Sequence, residues 1–232
     1  MPIDNTLHLY QYKDGYRYNS DSLVLYDFIA NLNPFGNVLD VGSGSGIIGL
    51  LTKRDFPNTT LSQIDIQSLH VELTLRNAQH NKLDSNVLHI NILEAKFECK
   101  FDFIVTNPPF YNDGSQKSKN EVLKVSRYAQ TLPFDELCKA VSRNLKPNGS
   151  FVFCYDAKQV DTLMSTLVNN KFKVNSIRFV YTKKDKTASL ILIHAKKSSK
   201  SLCKILAPLY MDSREMEDIY KITKTQSLLW TN

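Results

Sequence analysis

No apolar run in this chain reaches the roughly eighteen residues that a membrane-spanning helix needs. The opening MPIDNTLHLYQYKDG has no basic stretch leading into an apolar one, so a Sec signal is not expected either. Cysteine is sparse: Cys99, Cys138, Cys154 and Cys203 are scattered, without a CxxC pair, which argues for reduced thiols in a cytoplasmic protein rather than a disulfide scaffold. The five histidines (His8, His70, His80, His89, His194) form no HExxH or Cys/His grouping, so a structural or catalytic metal is not expected. There is no internal repeat and no long low-complexity linker, which excludes solenoids and tethered modules.

What is present is a globular composition of 232 residues, 42% hydrophobic and 22% charged, long enough to bury a sizeable core. The net charge of +6 is unevenly spread. Between Lys171 and Lys204 ten Lys/Arg face one acid, Asp185, a local +9 on an otherwise slightly acidic body. Such a segment is either a solvated surface or a polyanion-binding face.

The pattern of elements alternates. Asn37–Val41, Thr60–Ile64, Val87–Ile90, Phe101–Val105 and Ser150–Tyr155 read as strands. Helical apolar spacing falls at Ser22–Asn31, Ile47–Arg54, Ser68–Asn81, Asp135–Leu145 and Val160–Val168, and Pro147-Asn148-Gly149 reads as a turn. Lys173–Tyr181 and Ala188–His194 are joined by only Thr182–Thr187, too short for a helical crossover, so that last pair should be antiparallel. The expected fold is α/β: a doubly wound, mostly parallel, Rossmann-like sheet of seven strands with an antiparallel final strand. We expect one domain over 1–232, with an N-terminal cap segment 1–35, a catalytic core 36–197 and a C-terminal extension 198–232.

In such sheets ligands bind beyond the carboxyl ends of the strands, at the switch point. Asp40-Val41-Gly42-Ser43-Gly44-Ser45-Gly46 occupies that place. Gly44-x-Gly46-x-x-Gly49 also matches the dinucleotide fingerprint by letters. The residue following the strand is Gly42, however, and this register fits the DxGxGxG loop of S-adenosylmethionine sites. Asp65, about twenty residues on, is placed to accept from ribose hydroxyls, a role that serves either cofactor; the blander reading is a helix N-cap or first-turn acid.

Asn107-Pro108-Pro109-Phe110 follows the apolar run Phe101–Val105 directly. A ring-attached amine is a poor nucleophile because its lone pair is delocalised. The Asn107 carboxamide oxygen and the Pro108 carbonyl can accept its two hydrogens, Phe110 can stack on the ring, and the prolines stiffen the turn. A dehydrogenase gives no reason for this tetrad; methylation of an amine does. The long polar connection from Tyr111 to Leu132 starts at the same turn.

With these residues in place, the chain resembles class I S-adenosylmethionine-dependent methyltransferases. More narrowly, it is similar to the bacterial tRNA(Val) adenine N6-methyltransferases, which act on the adenosine just 3′ of the anticodon. The likeness runs through Gly15-Tyr16-Arg17-Tyr18-Asn19-Ser20-Asp21-Ser22, LDVGSGSGIIGLL, FDFIVTNPPFY, Ser126-Arg127-Tyr128, Arg178-Phe179-Val180 with Lys183, Lys184 and Lys186, and Leu206-Ala207-Pro208-Leu209-Tyr210. It implies S-adenosylmethionine as cofactor and the anticodon loop of a tRNA as partner. It implies that Asp40, Gly42, Gly44 and Gly46 line the methionine end, Asp65 holds the ribose, Asp21 closes over the pocket, and Asn107 through Phe110 take the adenine. Asn91 stands where relatives often carry an Asp facing the adenine amine, and Phe110 stands where Tyr is commoner. Arg127, Arg178, Lys183, Lys184 and Lys186 are the expected RNA contacts, and Lys117, Lys119 and Lys124 share the Tyr111–Leu132 connection with Arg127. Rival readings are a glutamine methyltransferase acting on translation factors, which brings a larger N-terminal substrate domain; a DNA adenine methyltransferase, which needs a target-recognition region; and a silent RNA-binding module.

Overall fold

The computed structural model describes residues 5–12, 18–109 and 132–230. β1 (Leu7–Tyr12) precedes α1 (Ser20–Ala30), and the sheet proper begins with β2 (Asn37–Val41), α2 (Ile47–Asp55), β3 (Thr60–Asp65), α3 (Ser68–His80), β4 (Asn86–His89) and β5 (Phe101–Thr106). α4 (Phe134–Asn144), β6 (Leu145–Asp156), α5 (Val160–Asn169), β7 (Phe172–Tyr181) and β8 (Ala188–Lys197) follow. The chain ends in β9 (Lys204–Ile205), β10 (Leu209–Tyr210), α6 (Arg214–Thr223) and β11 (Thr225–Trp230).

The main sheet has the order β10-β7-β8-β6-β5-β2-β3-β4, with β9 also on β7. Its seven long strands are the expected ones, and β8 runs antiparallel to both β6 and β7 while the other neighbours are parallel. The expectation of seven strands is corrected to nine, because the C-terminal segment adds β9 and β10 in parallel to the β7 edge. β2 and β5 are buried at nearly every position, with no alternation, because both faces of a central parallel strand are covered. α1 packs on α2 and α6, and α4 on α5. Leu39, Leu50, Ile104, Phe151 and Ile191 lie at the fully buried centre. The turn expected at Pro147–Gly149 is a bulge inside β6: Phe101 pairs with Leu145 but Phe103 with Ser150, and Asn148 takes φ 59° to make the excursion.

β1 belongs to a second, two-stranded sheet with β11, in parallel register from Leu7–Thr225 to Tyr12–Trp230. Leu7, Leu9 and Gln11 point inward while His8, Tyr10 and Tyr12 stay half-exposed, so the period-two tyrosines do mark a strand face. The other edge of β1 meets amide side chains of α3. Asn77 accepts from Tyr10 N (2.7 Å), and Asn81 accepts from His8 N (2.9 Å) and donates to His8 O (2.7 Å). One helical turn separates Asn77 from Asn81, and two residues separate Tyr10 from His8, so the pair substitutes for a neighbouring strand.

Candidate active site

The glycine loop is shaped by what holds it. Gly42 N and Ser43 N both donate to Ile64 O (2.9 and 3.0 Å), which ties the loop to the end of β3. Gly42 and Gly44 have φ of 71° and 58°, and a Cβ on either would meet nothing within 4 Å. Here glycine serves backbone conformation and leaves open space for a ligand. Thr74 Oγ donates to Gly44 O (3.0 Å) and lies 3.1 Å from Ser43 Oγ, and Asn77 donates to Ser45 O (2.8 Å). One face of α3 therefore braces three successive loop residues.

Asp40 lies behind this loop. It is 1% exposed, and its Oδ2 accepts from Gly49 N (3.0 Å) and from the Gln63 amide (3.1 Å), which also donates to Gly46 O (3.2 Å). Burial pushes the Asp40 carboxyl up to about 6, against the lowering effect of those two donors. Asp40 and Gly46, expected at the methionine end of the cofactor, are both buried behind the residues that line the cleft. Gly46 instead begins α2 at φ 81°, where a Cβ would come within 3.0 Å of Thr74.

The cleft itself is an open, concave site beside the loop with mostly apolar walls and a few polar groups, the make-up usual for small-molecule sites. Gly42, Gly44, Asp65, Asn91, Asn107, Pro108 and Pro109 line it, with apolar walls from Ile66, Ile90 and Ile92. These residues sit at the carboxyl ends of four adjacent strands, so that Asn91 (beyond β4), Asp65 (β3), Gly42 (β2) and Asn107 (β5) form a row across the sheet. Asp65 is 5% exposed; its Oδ2 accepts from Gly44 N (3.0 Å) and lies 3.2 Å from His70 Nδ1, and its Oδ1 accepts from Gln67 N (2.9 Å). Asp65 is thus tied directly to the glycine loop, and both line the cleft. Asn91 Oδ1 spends one lone pair on Leu93 N (3.0 Å), which orients its carboxamide.

Asn107 is held from two sides. Cys154 Sγ donates to Asn107 Oδ1 (3.0 Å), and Asn107 Nδ2 donates to Ser22 Oγ (3.3 Å). Asp21, next to Ser22, receives a bond from Asn19 Nδ2 (2.9 Å) at the start of α1, outside the cleft lining. Burial raises its carboxyl pKa above the ordinary value. Phe110 and Arg127, with Lys117, Lys119 and Lys124, lie outside the described residues.

Lys183, Lys184 and Lys186 form the exposed β7–β8 turn. That turn is at the same end of the sheet as the cleft, two to three strand places from β5, or roughly 10–15 Å at ordinary strand spacing. Arg178 does not join them. Its side chain, 11% exposed, donates to Glu215 (2.5 Å) and Ala207 O (3.0 Å) and lies 3.8 Å from Asp27. It shares pleat parity with buried Ser176 and Val180 and so points into the layer of α1 and α6, away from the exposed lysine turn. Sequence reasoning missed Ser22, Gln63, His70, Thr74, Asn77 and Cys154. Only helical spacing of Thr74 and Asn77 could have signalled the α3 brace. Among the described residues no group of His, Cys, Asp or Glu could hold a metal, and no helix is long and apolar enough to cross a membrane.

The doubly wound sheet, the glycine loop and the row of cleft-lining residues define a class I methyltransferase architecture. Residues 19–176 match the methyltransferase small domain family, and the chain belongs to it, with S-adenosylmethionine as its cofactor. A tRNA1(Val) (adenine(37)-N6)-methyltransferase from Aliivibrio salmonicida is 26% identical over 172 residues, 73% of each chain. A protein of the same name from Pedobacter heparinus is 30% identical over 151 residues, covering 64% of this chain and 63% of its own. Among solved structures, a predicted O-methyltransferase from Agrobacterium tumefaciens superposes with a TM-score of 0.68 at 15% identity, covering 90% of this chain and 99% of that one.

Proposed function

We propose that the chain methylates N6 of an adenine in tRNA, at the adenosine 3′ of the anticodon in tRNA(Val). The observation that carries this reading is that Asn107, Pro108 and Pro109 line one cleft with Gly42, Gly44 and Asp65. Donor and acceptor sites are then contiguous. The residues fit the cofactor: two glycines leave open space, Asp65 offers carboxylate oxygens at ribose position, and isoleucines 66, 90 and 92 offer apolar walls for a purine. When bound, S-adenosylmethionine supplies an electrophilic methyl carbon on a sulfonium sulfur.

The chain's own part is to position and localise charge. Asn107 Oδ1 and the Pro108 carbonyl accept the two amine hydrogens, which draws the nitrogen lone pair out of the ring and aims it at the methyl group. The new bond is N–C, the bond lost is C–S with its electron pair going to sulfur, and the surplus amine proton leaves to solvent. We assign stacking on the base to Phe110 and closure of the cleft to Asp21. Lys183, Lys184 and Lys186, with Arg127, would meet phosphates. An anticodon loop suits the cleft because an adenine leaves a single-stranded stack at low cost.

The relatives named as tRNA1(Val) adenine N6-methyltransferases support this substrate. The test is to incubate the protein with methyl-labelled S-adenosylmethionine and, in parallel, total tRNA, a translation release factor and DNA, then digest and identify the labelled unit. Label in N6-methyladenosine from tRNA is the expected result. Label in methylglutamine or in DNA would overturn the reading.

A further inference from the structure

The Asn107 carboxamide is the group on which amine activation rests, and its setting comes from two other elements. Thr106 pairs with Phe153 in the parallel β5–β6 ladder, so the next residues, Asn107 and Cys154, come level on one face. Cys154 is fully buried, and its thiol lies 3.0 Å from Asn107 Oδ1. From the other side Ser22, 3% exposed, receives Asn107 Nδ2 at 3.3 Å. Ser22 is held in the first turn of α1, where its N–H donates to Asn19 O (3.2 Å) and Asn19 Oδ1 caps the helix through Asp21 N (3.2 Å).

We propose that Cys154 and Ser22 are positioning residues for the methyl-transfer reaction, fixing the rotamer and the O/N orientation of the Asn107 carboxamide so that the free lone pair of Oδ1 faces the incoming amine. The inference rests on the tRNA-adenine reading above and deepens it. Chemistry gives the pair distinct roles. A thiol is a weak donor, so it orients Oδ1 without greatly reducing the oxygen's power to accept from substrate. Burial, and then the nearby charge of Asp21, hold the Cys154 thiol well above its ordinary pKa; it stays S–H and remains a donor. Ser22, with lone pairs to give, takes one of the amide hydrogens. Exchanging O and N would aim one carboxamide hydrogen at sulfur, a poor acceptor, and the other at the substrate amine, which would then face a donor.

The test uses the whole chain in three variants, Cys154→Ala, Cys154→Ser and Ser22→Ala, with Asn107→Ala as reference. Single-turnover methylation of tRNA should fall about tenfold in Cys154→Ala and in Ser22→Ala, an effect on the size scale of one misaligned contact. KM for tRNA and Kd for S-adenosylmethionine should stay within about twofold, and Cys154→Ser, which keeps a donor, should recover most of the rate. Independently of any RNA, the side-chain amide resonances of Asn107 should form one sharp pair in the wild type and in Cys154→Ser. They should broaden or double in Cys154→Ala. Wild-type rates in Cys154→Ala and Ser22→Ala alongside an inactive Asn107→Ala would overturn the inference and leave the tRNA reading standing. If the wild type methylates no tRNA, that reading falls alone, and the amide resonances decide the positioning: unchanged resonances in Cys154→Ala overturn it.

Discussion

Asp40 shows how a residue can belong to a ligand motif without facing the ligand. Its carboxylate is buried, and it holds the Gly49 amide and Gln63 instead of lining the cleft. Spacing alone marks the Asp of DxGxGxG but does not say which way it points, so the loop was legible and the buried support behind it was not. A pH dependence follows. The folded pKa of about 6 lies above the unfolded value of 3.8, so the folded state binds this proton more tightly. The contribution to stability is full below about pH 4 and is lost as pH rises through 6, at most about 3 kcal/mol for a shift of roughly two units. Asp40→Asn should remove that slope in thermal unfolding between pH 4 and 7, and an unchanged slope would contradict the assignment. Gly49 is a second such case, since an added Cβ would lie 2.5 Å from Gln63 Nε2 and 3.1 Å from Asp40 Oδ2. Gly49→Ala should therefore weaken S-adenosylmethionine binding in calorimetry by disturbing the loop support; binding as tight as wild type would show that the support yields freely.

At the scale of elements, the alternating strands and helices were legible because each carries its own period and turn residues. The antiparallel β7–β8 pair was legible from the six residues that join it. The β1–β11 sheet was not, because parallel pairing between the two ends of a chain leaves no local turn signal, and β9, β10 and α6 were hidden in a segment read only as an extension. This terminal sheet is coupled to the cleft through Asn77, which serves Tyr10 on one side and Ser45 O on the other. Asn77→Ala should destabilise the protein by ~1–3 kcal/mol, the cost of buried polar groups left unpaired. It should also speed hydrogen exchange at the Tyr10 amide, and retention of full protection there would argue against the strand-like role of the α3 amides. His194, on β8, opposes Asp40 in its pH effect. Burial pulls it down to about 4 from 6.5, so its share of stability is present above about pH 6.5 and is lost as pH falls toward 4. His194→Gln should flatten that acid limb of the melting profile, and an unaltered limb would count against a buried neutral imidazole.

Across the whole molecule the basic segment read from the sequence divides in two. Arg178 is consumed in tying β7 to α1 and α6, while Lys183, Lys184 and Lys186 stand exposed at the cleft end of the sheet. Charge counting could not separate them, because pleat parity and helix packing decide which cations remain free. Neutralising the three lysines together should weaken tRNA binding and reduce the magnitude of the log–log salt slope by about 2, at roughly 0.7 per phosphate contact on single-stranded RNA. Arg178→Ala should lower stability with little change in slope, and the reverse assignment of effects would undo this division. The central claim is that Asn107 activates an adenine amine in a cleft shared with the methyl donor. The most direct measurement is a single-turnover methylation of tRNA by wild type and Asn107→Ala at saturating S-adenosylmethionine, with the product nucleoside identified and cofactor affinity measured on both. The expected result is N6-methyladenosine from the wild type and a loss of at least about a hundredfold in the variant, with cofactor affinity retained. An Asn107→Ala variant that forms N6-methyladenosine at the wild-type rate would contradict it.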